Sequence, residues 1–228
     1  GVTLENMTFT GDLYITGGVG LGYVTLSNVT VYGKIIASGA GESNKGDCSI
    51  ILKNCTAPEM IVDSPSNQYV TVRTVGDTDI DKVYVRTNTY LEGKSTGSHG
   101  FQYIEIDGEQ GTRLDLAGNI HEVVAMTPES EINVGSGTVE KMTIDEHAIG
   151  STVSIAQGAV VEELNLDTAT SVTGKGDIGT LNVNAPGCTV EMLPDDINIR
   201  PGITADINGT TMDSTLADQM SDYPRILS

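Results

Sequence analysis

The line Val2-Thr-Leu-Glu-Asn-Met-Thr-Phe-Thr-Gly11 recurs as Val24-Thr-Leu-Ser-Asn-Val-Thr-Val-Tyr-Gly33, every matched position displaced by 22 residues. A looser copy, Ile50-Ile-Leu-Lys-Asn-Cys-Thr56, follows a further 26 residues on. A fixed period of this size restricts the chain to architectures built by stacking one unit on the next. In these, no unit can bury its apolar face alone. Inside each copy the apolar residues alternate. Val2 and Leu4, Met7 and Phe9, and Leu13 and Ile15 face one way; Thr3, Thr8 and Tyr14 face the other. Period-two alternation over short runs describes half-buried strands. Asn6, Asn28, Gly11 and Gly33 separate them.

Three short strands per unit, with no helical pattern between them, predict an all-β fold. The expected form is a single-stranded, right-handed parallel β-helix over residues 2–209, with about 20–22 residues per coil. The hand follows from the bias of parallel crossovers. A β-sandwich also has many short strands, but it does not explain a residue-for-residue offset of 22. Later coils begin at Ile132, Val153, Val172 and Val190, spaced by 21, 19 and 18, so the coil is expected to tighten. Residues 210–228 read as a C-terminal tail or cap. Met212, Leu216 and Met220 recur at four, Asp213 or Ser214 offers an N-cap, and Pro224 offers a stop.

Asn6, Asn28 and Asn54 share the context Leu-x-Asn-x-Thr. At a repeat corner this predicts an asparagine ladder, since Asn accepts left-handed turn conformations and bonds to its own copy on the next rung. The competing reading is glycosylation, because Asn-x-Thr occurs at these positions and at Asn208.

Charge bounds the partners. Thirty-one acidic residues against 12 basic ones leave a net charge of −19. Such a chain cannot neutralise nucleic-acid phosphates. It repels anionic polysaccharides and membrane surfaces unless divalent cations intervene. No apolar run is long enough to span a membrane, so no membrane insertion is expected. The chain opens at Gly1 without a methionine or a visible signal peptide, so a processed or trimmed chain is expected.

Residue by residue, the chemistry-bearing candidates are thin. Cys48, Cys55 and Cys188 match no zinc spacing. Cys55 occupies the slot of Met7 and Val29 and should be buried, and whether it is bridged to Cys48 is left open. Asp77, Asp79 and Asp81 resemble the opening of a calcium loop. Lys82 stands where that loop needs glycine, however, and Asn88 where it needs glutamate. His99, His121 and His147 recur near the coil period in unrelated contexts. Gly93-Lys-Ser lacks the upstream glycine of a phosphate-binding loop. The polar stretches 39–48 and 93–100 are the expected binding loops. Arg73, Arg86, Arg113, Arg200 and Arg225 are dispersed along the chain, tryptophan is absent, and no aromatic platform for sugars is evident. The pairs Glu162/Glu163 and Asp195/Asp196 suit a solvated face. No catalytic, cofactor-binding or metal-ligating residue is assigned, and no cofactor is expected.

One resemblance adds to this. Gly-Lys-Gly-Asp-Ile-Gly-Thr-Leu-Asn-Val-Asn-Ala-Pro-Gly-Cys-Thr-Val (174–190) and Pro-Asp-Asp-Ile-Asn-Ile-Arg-Pro-Gly-Ile-Thr-Ala-Asp-Ile-Asn-Gly (194–209) resemble recurrent stretches of Firmicutes surface proteins. Gly20-Leu-Gly-Tyr-Val-Thr-Leu-Ser-Asn-Val-Thr-Val-Tyr-Gly33 is similar to the front of the same regions. These are large, secreted, adhesin-like β-helix proteins, often carrying S-layer homology domains. No stretch of residues 1–228 reads as such a domain, and the mode of anchoring is left open. The resemblance implies a secreted or cell-surface bacterial location and a structural or adhesive role, and it brings no catalytic residues. The expectation is therefore an extracellular, non-catalytic β-helix module with an unidentified glycan or protein ligand. The alternative is a polysaccharide lyase or glycoside hydrolase on the same fold. End-to-end self-association through the first rung, Val2–Leu4, is a further expectation.

Overall fold

Each coil is three straight segments joined at three corners, and the corner chemistry decides how the segments are placed. The computed structural model describes residues 1–16, 23–39, 50–64, 69–96 and 100–221. The first coils contain β1 (Val2–Phe9) and β2 (Leu13–Ile15), β3 (Val24–Val31) and β4 (Lys34–Ala37), then β5 (Ile50–Lys53) and β6 (Thr56–Val62). β7 (Val70–Gly76), β8 (Asp79–Val85), β9 (Thr89–Ser95) and β10 (Gly100–Ile106) form the next two. β11 (Arg113–Ala125) and β12 (Glu131–Ile144) each run through nearly a whole coil. β13 (Thr152–Ile155), β14 (Ala159–Leu166), β15 (Ser171–Gly174), β16 (Asp177–Val183), β17 (Thr189–Val190) and β18 (Asp196–Ile199) complete the stack. The result is a parallel β-helix of about nine turns.

The repeat offsets are the strand registers. Val2 pairs in parallel with Val24, and Val24 with Ile50. The tightening is present as well: Ile132 pairs with Val153, Val153 with Val172, and Val172 with Val190. Because the registers keep like beside like, the inward residues stack into columns. Ile35, Met60, Val83, Ile104, Val123 and Met142 form one such column, and none of them is exposed.

Several expected strand breaks are absent. The chain turns at Asn6, Asn28, Gly118 and Gly137 with φ between 53° and 82° while the residues on either side continue to pair. Segments read as separate strands therefore merge. The asparagine ladder forms at this corner. Asn28 Nδ2 donates to Asn6 Oδ1 at 3.0 Å, and Asn54 Nδ2 to Asn28 Oδ1 at 3.1 Å. It stops at Gly76, where a Cβ would lie 2.1 Å from Asn54 Oδ1, and the Asp77 backbone N–H donates to that oxygen instead at 2.9 Å. These side-chain amides are thus engaged in the fold.

The two ends differ. At the start, β1 pairs with β3 on one side, and Val2 and Met7 remain 46% and 44% exposed. At the other end β19 (Ala205–Ile207) turns through Asn208 and Gly209, both at positive φ, into β20 (Thr210–Met212). A two-residue turn with both residues left-handed is the type I′ hairpin connection, and β19–β20 is antiparallel. Residues 210–212, placed in the tail by the sequence reading, thus belong to the sheet. Helix α1 (Ser214–Ser221) follows, with the Leu216 N–H donating to Asp213 Oδ1 at 2.9 Å, which makes Asp213 the N-cap. α1 lies against β18 and β20 and buries Ala217 completely. Met212 is buried in β20, not on the helix.

Candidate functional site

Outward residues on a parallel β-helix form columns of their own, about 4.8 Å per step, so residues distant in sequence become neighbours. On the first face, Val72, Leu91 and Leu116 point inward, and the residues alternating with them leave the outer side. Arg73 pairs in register with Glu92, and Tyr90 with Asp115. Arg73 Nε donates to Glu92, and Lys94 Nζ lies 2.6 Å from its other oxygen. One coil on, Arg113 donates to Asp115 from Nε and Nη2 at 3.1–3.2 Å, and the Tyr69 hydroxyl donates to the same carboxylate.

The acids lie at the bottom of this cluster. Glu92 is 7% exposed and Asp115 4%, beneath more exposed cationic side chains. Burial alone would raise the Glu92 carboxyl, but hydrogen bonds and charge from Lys94 and Arg73 outweigh it and hold the group below the usual carboxylate range. Burial, reinforced by its bond to Asp115, pushes the Tyr69 hydroxyl well above the ordinary phenol range. The arginines that look dispersed in sequence are therefore gathered in part: Arg73 and Arg113 share one face. Tyr69 and Asp115, 46 residues apart, were missed because only the register brings them together. The 19-residue step from Arg73 to Glu92 was the available signal.

Beside this cluster, at the corner leading from the third face to the first, a cleft of about 490 Å³ is lined by Asp63, Arg86, Asn88, Asp107 and Glu109, among others. Arg86 donates to Asp107 at 3.1–3.2 Å from two nitrogens and lies 4.0 Å from Asp63. Asn88 Oδ1 accepts from the Arg113 backbone N–H at 2.9 Å, which joins the cleft to the first-face cluster. A recess forms because three consecutive corners are stacked there.

The third face carries two unlike halves. Toward the C-terminus an unforeseen second ladder runs outward along straight strands. Asn182 Nδ2 donates to Asn165 Oδ1 at 2.8 Å and Asn198 Nδ2 to Asn182 Oδ1 at 2.9 Å. Toward the N-terminus the same column is Tyr14, Ile36, Ile61 and Tyr84. The register thus places two tyrosines, unmarked as a sequence motif, at the ends of one column with Ile36 and Ile61 between them.

Of the other sequence candidates, Asp79 and Asp81 face outward on β8 around buried Ile80, and Asp79 Oδ1 accepts from Gln102 at 2.7 Å. Among the described residues no group of three or more His, Cys, Asp or Glu is arranged to hold a metal ion. His121 lies 2.5 Å from Glu140 and His147 2.6 Å from Asp145, each at its own local acid; His99 falls outside the described residues. Cys55 and Cys188 are free and buried, and the Cys55 S–H faces the Leu26 and Lys53 carbonyls at 3.3 Å. Cys48 and nearly all of the 39–48 loop lie outside the described residues, as do residues 97–99 of the second loop. Among the described residues no helix is long and apolar enough to cross a membrane.

No protein-family model and no curated protein matches the chain. Among solved structures it is similar to chitinase ChiW from Paenibacillus sp. str. FPU-7, described as a bacterial cell-surface-expressed multi-modular enzyme machinery. The TM-score is 0.61 at 20% identity, over 69% of this chain and 14% of that one. At this identity the likeness is one of fold.

Proposed function

We propose that this β-helix is a non-catalytic module of a secreted or cell-surface bacterial protein, presenting its long faces to a glycan or protein ligand. The observation that carries the reading is the condition of the two buried acids on the first face. Glu92 is held ionised beneath Arg73 and Lys94, and Asp115 is occupied by Arg113 and Tyr69. A glycoside hydrolase needs a carboxyl that keeps its proton until it reaches the leaving group, paired with a second, available carboxylate. A lyase needs an unencumbered base within reach of a sugar proton. Acids locked under cations serve neither role, whereas they hold neighbouring coils together and order a polar surface. The similarity in fold to part of a multi-modular cell-surface enzyme supports a module of the same general setting. The adhesin-like resemblance of the 174–209 region supports it also.

The test is a glycan array probed with and without calcium, with any bound sugar afterwards analysed for chain scission. Binding with the sugar recovered intact is the expected result. Scission would overturn the reading in favour of a lyase or glycoside hydrolase, with the corner cleft at Asp63, Asp107 and Glu109 as the place to look.

A further inference from the structure

The aromatic half of the third face is built as a strip. Tyr14, Ile36, Ile61 and Tyr84 occupy consecutive rungs of one outward column, fixed by the pairs Tyr14–Ile36, Ile36–Ile61 and Ile61–Tyr84. Tyr14 is 63% exposed and the other three are half-buried. Three rungs separate the tyrosines, about 14 Å along the axis at roughly 4.8 Å per rung.

The charges beside the strip are paired in part. Lys34 pairs with Glu59 at 2.7 Å, Arg86 pairs with Asp107 at 3.1 Å, and Lys82 lies 5.7 Å from the centre of the Tyr103 ring. At the cleft end the balance is acidic, with Asp63, Asp107 and Glu109 against Arg86. Tyr84 and Arg86 leave the same side of the strand direction two residues apart, so the strip ends beside the 490 Å³ corner cleft with its Asn88, Asp107 and Glu109. Flat apolar and aromatic contact next to a few converging donors and acceptors is the composition of a site for a polyhydroxylated ligand.

We infer that an uncharged, extended polysaccharide binds along this strip, its sugar rings lying on Tyr14 and Tyr84 and its hydroxyls bonded at the Arg86–Asp107 edge. The inference rests on the module reading above and names its ligand class and its face. An uncharged polymer is selected because the overall field repels anionic ones, and because the column itself, Tyr14, Ile36, Ile61 and Tyr84, carries no charge to hold an ionic one. An extended polymer is selected because the column is straight, one residue wide and parallel to the axis. A ring laid on a tyrosine gains apolar contact while the phenol edge remains in water, and two such contacts on one chain reinforce each other through effective concentration.

The experiment is depletion of the protein from solution by insoluble cellulose, chitin and β-1,3-glucan, with pectate gel as the anionic comparison. At least one neutral polymer should retain the protein, and pectate should not. Tyr14→Ala combined with Tyr84→Ala should weaken retention by tenfold or more, while Tyr14→Phe with Tyr84→Phe retains most of it. Thermal unfolding of each variant verifies that the fold is kept, and Tyr14→Ala alone, at an exposed site, serves if the double variant is unstable. Equal retention of the wild type and the Ala variants would overturn the inference while leaving the module reading intact. Retention by pectate alone, or by no polymer, would also overturn it. A protein ligand would then remain for the module, whereas scission of the polymer would overturn the module reading itself.

Discussion

Glu92 shows how much of this fold is decided at single side chains. Its carboxylate lies on an outward column yet is almost fully covered, and Arg73 and Lys94 keep it ionised. A carboxyl whose folded pKa is depressed contributes stability that is complete above its unfolded pKa and is lost as pH falls through the folded value. Stability should therefore decline as pH drops below about 4, and Glu92 should be one of the residues responsible. Glu92→Gln is expected to cost about 1.5–3 kcal/mol at pH 7, the range for hydrogen bonds to charged groups. The deficit should shrink toward pH 3. Urea unfolding of both proteins at the two pH values measures this. A deficit of equal size at both would show that packing, not charge, accounts for Glu92.

At the scale of the element, two ladders use the same amide bond under different backbone demands. Asn28 bonds to both neighbours from a corner at φ 53°. Asn182 bonds to both neighbours from a straight strand. Asn28→Gly keeps the turn and loses the bonds, a cost of about 1 kcal/mol. Asn28→Ala adds the left-handed penalty of about 1–2 kcal/mol. Asn182→Ala loses bonds without that strain, so its cost should match Asn28→Gly more closely than Asn28→Ala. Denaturant midpoints of the three variants test the order. The glycine corner is stricter: at Gly137, φ 82°, a Cβ would lie 2.1 Å from the Gly118 carbonyl oxygen, so stacked backbone excludes any side chain there.

The described residues form a one-dimensional stack whose two ends are unequal. In such stacks each coil is stabilised by its neighbours, so local opening begins at the rung with fewest. The first coil has a neighbour on one side and exposes Val2 and Met7, whereas Leu26 one coil on is fully buried. The last coil is closed by the β19–β20 hairpin and by α1, with Ala217 sealed beneath it. Amide hydrogen exchange should accordingly be fastest in β1 and β2 and slowest in β11, β12 and β14. Protection in β1 equal to that in β12 would mean that the first rung is covered in solution, and sedimentation across a concentration series would then show whether a second copy covers it.

The period of 22, the alternation and the Asn corners were enough, without any structure, to determine the parallel β-helix, its inward columns, its first ladder and its tightening coils. Those features follow from local pattern repeated at a fixed offset, and pattern is what a sequence carries. The aligned tyrosines, the second ladder, the covered acids and the corner cleft were decided only in three dimensions. Each depends on outward residues from different coils meeting across the stack, and of these the second ladder alone repeats a local motif, Asn165, Asn182 and Asn198 each between two aliphatic residues at steps of 17 and 16. Coil steps that vary from 26 residues down to 16 shift those positions unevenly along the sequence. Backbone hydrogen bonding then restores the alignment, because paired strands must keep their register while the loops between them absorb the difference.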